Sequence, residues 1–418
     1  MKKLLAPLLL AVSLGTTAIA CGGEGEQTAG GEEDFTSNSG VTLELTFSGE
    51  VVAVANDTPR HAVSEQLQYV QGQLTENAGA NAATFIPKLA NVREVAEGNK
   101  KKIAYEAKVA VAWPKSRPTP ATYELVLPRD ATALAAFNRK YDGPCGHAKY
   151  GSDTFWYNFD PKAEGCSLDD ADVHRTVATV APHPQSTQGV YPEYDKIWED
   201  DTLSMVAVFG IVTSNTPNDD GAQTRERLLR EVSSSLRDAT RTEGPATPGI
   251  LKESTVTGKI DVGGRERTVN LTGILVQEVA GAGARFDQRY EELSAKADVV
   301  VYYGHSGLGK NIKALARITG AERGHYQLAY LYACQTLGYL DPAMFERRSA
   351  LNDDDPEGTK YLDIIANTLV AYGDQGRAFL DLYRDILDGT KTFNDILRSN
   401  ASSHIPIVFG EHDNTFRP

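Results

Sequence analysis

Along the chain the spacing of apolar and polar positions changes character near residue 200. Before that point it is mixed. Val41 to Ala55 alternates at period two through Val41, Leu43, Leu45 and Phe47, which predicts a half-buried strand. Thr58 to Leu74 predicts a capped helix with Pro59 at its first position. Ala104 to Trp113 and Thr122 to Leu127 read as strands around a Pro-rich turn, Ala131 to Tyr141 as a short helix, Thr154 to Phe159 as an aromatic strand and Val173 to Ala181 as a last strand. Strands and helices in no strict alternation predict an α+β domain over 41–185. The Pro-, Tyr- and acid-containing segment that follows, 186–201, reads as an interdomain linker.

From Thr202 onward the pattern is that of an α/β domain, 202–418. Thr202 to Thr213 is nearly continuous in apolar residues, as a fully buried parallel strand requires. A helix over Ala222 to Ala239 is predicted next, then a hairpin of Val256 to Val262 with Arg267 to Val276 around Gly263-Gly264, and a helix over Phe286 to Lys296. Two further apolar strands follow, Asp298 to Tyr303 and Tyr326 to Ala333. Between them Asn311 to Thr319 places Ile312, Leu315, Ala316 and Ile318 near one helical face, with Gly320 as its C-cap. Beyond lie Pro342 to Arg347, an acidic loop Asn352 to Pro356, helices over Lys360 to Tyr372 and Arg377 to Leu387, and an apolar run Ile405 to Phe409. Strand, helix and strand in alternation predict three layers around a parallel sheet.

That prediction places chemistry. The strand of Tyr303 ends in Gly304-His305-Ser306-Gly307 and the strand of Tyr332 in Ala333-Cys334-Gln335-Thr336. Ligands of open parallel sheets bind beyond the carboxyl ends of the strands, so His305 and Cys334 are expected on one rim.

Composition narrows the setting. At 418 residues two globular domains are the sensible expectation, and the net charge of −14 disfavours a nucleic-acid partner, which needs a concentrated basic surface. Met1-Lys2-Lys3, the apolar run Leu4 to Ala18 and Ala18-Ile19-Ala20-Cys21 resemble a bacterial lipoprotein signal over 1–20 with Cys21 as the lipidated residue. Gly22, where an aspartate retains many lipoproteins in the inner membrane, leans the expectation towards the outer membrane. Residues 21–40 then read as a flexible tether, rich in Gly, Glu, Ser and Thr. With Cys21 lipidated and the compartment oxidising, Cys145 and Cys166 are the natural disulfide pair. Cys334 is left over, as a reactive nucleophile or a buried inert cysteine.

Cysteine catalysis needs a thiolate, a proton carrier and backbone N–H groups aimed at the oxyanion, and histidine suits the second role. A hydrophobic strand closing in His-Gly and another closing in Ala-Cys resemble the caspase-like (clan CD) cysteine peptidases. GHSG and LYACQT are most similar to the CHAT- and gingipain-type members, and Arg377 to Ile396 resembles the helix late in CHAT domains. The resemblance covers about Thr202 to Phe409. It implies a caspase-like fold and peptide-bond hydrolysis without a cofactor or metal. Cys334 would be the nucleophile and His305 the general acid/base, with backbone N–H groups near Ser306 and Cys334 as the oxyanion hole. Ser306 stands where the family usually has glycine, the Gln-Ala-Cys-Arg-Gly pentapeptide of caspases is absent, and the cysteine follows the histidine sooner than in caspases.

Other readings use the same residues. A surface lipoprotein that binds a partner through a caspase-like fold without turnover needs no dyad. GHSGL is similar to the nucleophile elbow of α/β-hydrolases, with Ser306 attacking and His404 or His412 as base, although Leu308 fills the last glycine position. Zinc held by His305, Cys334, His404 and His412 lacks a compact ligand spacing, and the acidic run Asp353 to Asp355 lacks an EF-hand pattern.

Overall fold

The computed structural model describes residues 40–148, 151–183, 189–213, 218–368, 371, 376–399 and 406–418. The signal and lipidation site expected at 1–20 and Cys21, most of the tether, and His404 lie outside the described residues.

Two sheets organise the chain. The first contains β1 (Gly40–Val54), β2 (Asn81–Ala82), β3 (Lys88–Glu97), β4 (Lys100–Pro114), β5 (Thr122–Pro128) and β6 (Val173–Pro182), in the order β2-β4-β1-β6-β5, with β3 also on β4. Helix α1 (Pro59–Ala78) packs on it, opened by Thr58, whose side chain accepts from His61 N–H, and closed by the left-handed Gly79. Helix α2 (Leu134–Tyr141) follows. The Cys145–Cys166 disulfide is present, with the sulfurs 1.97 Å apart.

The aromatic run predicted as a strand is instead a 3-10 helix, Ser152–Asn158. Its rings explain why: Phe155 and Phe159 meet Phe137, and Phe159 also meets Tyr69 of α1, so the run packs as a knot on helices rather than joining a ladder. Strand β3 was not foreseen because it is exposed on both faces and shows no alternation.

The segment 186–201 is not a free linker over its described part. It forms the short helix α3 (Tyr194–Ile197), and Tyr194, Ile197 and Trp198 are buried against the second sheet. Glu193, also buried, accepts from the N–H groups of Thr415 and Phe416 at 2.7 and 2.8 Å and so ties the chain's end to this segment.

The second sheet comprises β7 (Thr202–Gly210), β8 (Arg237–Glu243), β9 (Ile250–Val262), β10 (Arg265–Val276), β11 (Val299–Tyr303), β12 (Gln327–Tyr332), β13 (Leu362–Asn367) and β14 (Pro406–Phe409). Their order is β14-β13-β12-β11-β7-β10-β9-β8. Neighbours from β10 through β7, β11 and β12 to β13 are parallel, and β9 on β10, β8 on β9 and β14 on β13 are antiparallel. The fold is therefore mixed α/β, as the alternating pattern predicts. Residues 362–367, expected in a helix, form the buried strand β13; a short apolar run fits a buried helix or a buried strand equally, and the open edge of β12 decides it.

The remaining helices are α4 (Asp220–Ser235), α5 (Ala284–Ser294), α6 (Lys310–Ile318), α7 (Ala343–Leu351), α8 (Arg377–Asp388) and α9 (Phe393–Ser399). Alternate residues of each strand face opposite cores. Val299, Val301 and Tyr303 of β11 pack with α4, α8 and α9, whereas Val300 and Tyr302 pack with α5, α6 and α7. Three layers result. The α5–α7 side also takes in Tyr69, Phe85, Phe155 and Trp156 from the first half, so one apolar cluster joins the two halves, while the first sheet and α1 keep a second core of their own. Among the described residues no helix is long and apolar enough to cross a membrane.

Candidate functional site

The two strands singled out by sequence are neighbours in register. Val299 to Tyr303 pair with Leu328 to Tyr332, and the last pair is Tyr303 opposite Tyr332, rings stacked 5.5 Å apart. His305 and Cys334 each follow two residues later, on the carboxyl rim. The connection from β7 leads to α4 on one face and that from β11 to α6 on the other, so the chain diverges between β7 and β11. A crevice at such a switch point is where open α/β sheets hold ligands.

His305 bridges that crevice. Its Nε2 lies 2.7 Å from the Val212 carbonyl, beyond β7. A carbonyl can only accept, so Nε2 carries the proton and Nδ1 of the neutral ring carries the lone pair. Nδ1 is buried and makes no hydrogen bond. The Val212 peptide is itself held by Asp219, which is fully buried. Its Oδ2 accepts from Val212 N–H at 2.9 Å, Thr213 N–H at 2.7 Å and the Thr213 hydroxyl at 3.2 Å, while Oδ1 accepts from Gly221 and Ala222 N–H at the start of α4. The helix cap and the histidine's partner thus share one carboxylate.

The loop after His305 is shaped by three consecutive left-handed residues, Gly307, Leu308 and Gly309. The His305 carbonyl accepts from the Tyr302 hydroxyl at 2.7 Å and from Asn311 Nδ2 at 2.9 Å, and Asn311 Oδ1 accepts from Ala280 N–H at 2.9 Å. Burial pushes the Tyr302 phenol well up, so it remains a donor.

Cys334 is 1% exposed at the end of β12. Asn367, ending β13, donates from Nδ2 to the Ala333 carbonyl at 3.0 Å and from its N–H to the Thr336 hydroxyl at 2.7 Å, and that hydroxyl donates to Leu331 at 2.9 Å. Gln335 is left-handed at φ 50°, which turns the chain sharply after the cysteine.

Cys334 is in disulfide form, and no described cysteine is a free thiol. This corrects the expectation of a leftover thiol: the interest of Cys334 rests on its position and not on the cysteine count.

Among the described residues the rival constellations are not brought together through His412; His404 lies outside those residues. Strand β14 runs antiparallel, with Phe409 opposite Ile364, so His412 emerges at the amino rim of the parallel strands, away from Ser306. Ser306 is buried, and the strained positions are 307–309, not the serine a nucleophile elbow would strain. The same reversal separates His412 from His305 and Cys334, and no group of three potential metal ligands occurs among the described residues. In the acidic loop Asp354 pairs with Lys360, and Asp355 accepts from Thr359 and Lys360 N–H as a turn cap.

Val212, Asp219, Asn311 and Asn367 were not anticipated as parts of this site. Only Asp219 left a signal, as an acidic residue directly before a helix. No family model matches the chain, and no curated protein matches it.

Proposed function

We propose that this protein is a caspase-like cysteine peptidase, carried on the bacterial cell envelope by lipid on Cys21, with Cys334 and His305 as its dyad. The observation that supports the reading is the register of the two strand ends at the switch point, with His305 Nδ1 left as a base by the Val212 carbonyl. The nucleophile is Cys334 as its thiol, which gives its proton to His305 Nδ1.

In that form the Cys334 thiolate attacks the carbonyl carbon of a peptide bond. The oxyanion is met by backbone N–H groups near Ser306 and Cys334. Collapse breaks the C–N bond as protonated His305 gives its proton to the leaving amine, leaving a thioester. Water then attacks the thioester, His305 takes its proton, and the acid is released with the thiolate restored.

A second reading, a partner-binding lipoprotein without turnover, is favoured by the burial of Cys334. Labelling separates the two. After mild reduction, iodoacetamide is expected to modify Cys334 of the wild type faster than a free thiol and Cys334 of His305→Ala no faster than one, read from the mass of the Cys334 peptide. Equal rates in both would remove the peptidase reading and leave the binding one.

A further inference from the structure

We propose that the first half of the chain is a working part of the Cys334 site, with Tyr157 as a positioning residue that acts through Gln335. The inference rests on the dyad reading.

Three contacts lead from the aromatic 3-10 helix into the site. The Tyr157 hydroxyl donates to Gln335 Oε1, and Gln335 is the residue directly after Cys334. A left-handed backbone is unfavourable for a residue other than glycine and persists where surrounding contacts hold it. The Tyr157 hydroxyl is such a contact, because it fixes the side chain of the residue that bears the strain. Next, Trp156 meets Tyr339 edge to face at 6.1 Å. Finally, Tyr339 lies against Gly309 so closely that a Cβ there would come within 2.9 Å of its ring. Gly309 belongs to the loop that follows His305. One short helix of the first half therefore touches the cysteine loop directly and the histidine loop through a single ring.

The helix is firmly held. Gly72 of α1 packs on its backbone, where a Cβ would stand 2.4 Å from the Trp156 carbonyl oxygen. Asn138 Nδ2 donates to Ser152 at 2.7 Å and Asn158 Nδ2 to Glu76 at 3.1 Å. The Cys145–Cys166 disulfide closes the segment around it. Displacement of the 3-10 helix is thus resisted by α1, α2 and a covalent bond together, which gives Gln335 a rigid partner rather than a mobile one.

The test is the rate of Cys334 alkylation across pH 5 to 9 in the full chain after mild reduction, resolved by peptide mass so that Cys145 and Cys166 are followed separately. Tyr157→Phe removes only the hydroxyl. Gln335→Asn retains a residue tolerant of left-handed backbone but is too short to reach Tyr157. Each is expected to slow alkylation roughly tenfold, the scale of one hydrogen bond, and to shift the pH profile. The double variant is expected to be no slower than the slower single, because the two changes remove one interaction. Wild-type rates and profiles in either folded single variant, or fully additive losses in the double, would overturn the inference. If His305→Ala left the wild-type rate unchanged, the dyad reading itself would fail, which is a different outcome.

Discussion

His305 and Cys334 occupy equivalent places on neighbouring parallel strands, each two residues beyond the last pair of the β11–β12 ladder, Tyr303 with Tyr332. Adjacent strands lie about 4.8 Å apart, so the two backbones leave the sheet side by side. The imidazole is turned to Val212 on the far side of the crevice. The site is therefore built from three strand ends, β7, β11 and β12, and the residues that hold those ends govern its geometry.

Asp219 is the first of these. Asp219→Ala removes the cap of α4 and the acceptor for Val212 and Thr213 at once. Loss of a helix cap costs about 1–2 kcal/mol, and urea unfolding is expected to show at least that. The freed Val212 peptide no longer fixes Nε2, so Cys334 alkylation is expected to slow as well. A variant that loses stability while keeping the wild-type rate would show that the cap alone matters.

The Cys145–Cys166 disulfide acts in the first half, where it closes the segment around the aromatic 3-10 helix. Cys145 and Cys166 are 21 residues apart, and closing a loop of that size is worth about 3 kcal/mol on the chain-entropy model. The double variant Cys145→Ala with Cys166→Ala is expected to lose about that much in denaturant unfolding. A loss below about 1 kcal/mol would mean that the aromatic packing by itself holds the segment.

Gly72 tests the contact between α1 and the aromatic helix. A methyl group there meets backbone atoms, which cannot rotate away. Gly72→Ala is expected to destabilise by about 1–3 kcal/mol despite alanine's better helix propensity. Thermal unfolding reads the sign directly: a rise in Tm would show that α1 has room to shift.

Stability should also depend on pH through Glu411. Burial pushes its carboxyl up to about 7, with the neighbouring Asp413 charge adding to the effect. A carboxyl raised on folding contributes most below its unfolded value of about 4, and that contribution is lost as pH rises through the folded value. Glu411→Gln cannot ionise, so relative to wild type it is expected to gain on the order of 2–3 kcal/mol between pH 4 and pH 8. Urea unfolding at the two pH values measures the difference, and parallel behaviour of the two proteins would refute the expectation.

Much of the second sheet was legible because burial on both faces writes a near-continuous apolar run. Thr202 to Gly210, Val299 to Tyr303 and Gln327 to Tyr332 were read within a few residues of their observed ends. Where the run was short, as in Leu362 to Asn367, sequence did not distinguish strand from helix. Arg237–Glu243 and Lys88–Glu97 were missed for the opposite reason: as exposed strands they bury no face and leave no period. The aromatic run misled because rings favour strands locally, whereas here Tyr69 and Phe137 offered them a better surface.

The sequence by itself determined that His305 and Cys334 each follow a buried strand, because strand ends are marked locally by turn and polar residues. It also determined the pairing of Cys145 with Cys166, close in the chain and bracketing one loop. Only the tertiary structure decided which strands are neighbours, that Val212 accepts from the His305 imidazole with Asp219 behind it, and that Tyr157 reaches Gln335. Those contacts join residues 93 and 178 positions apart in the chain. No local pattern encodes such distances, because they are set by how the sheet orders its strands and where the first half packs against it.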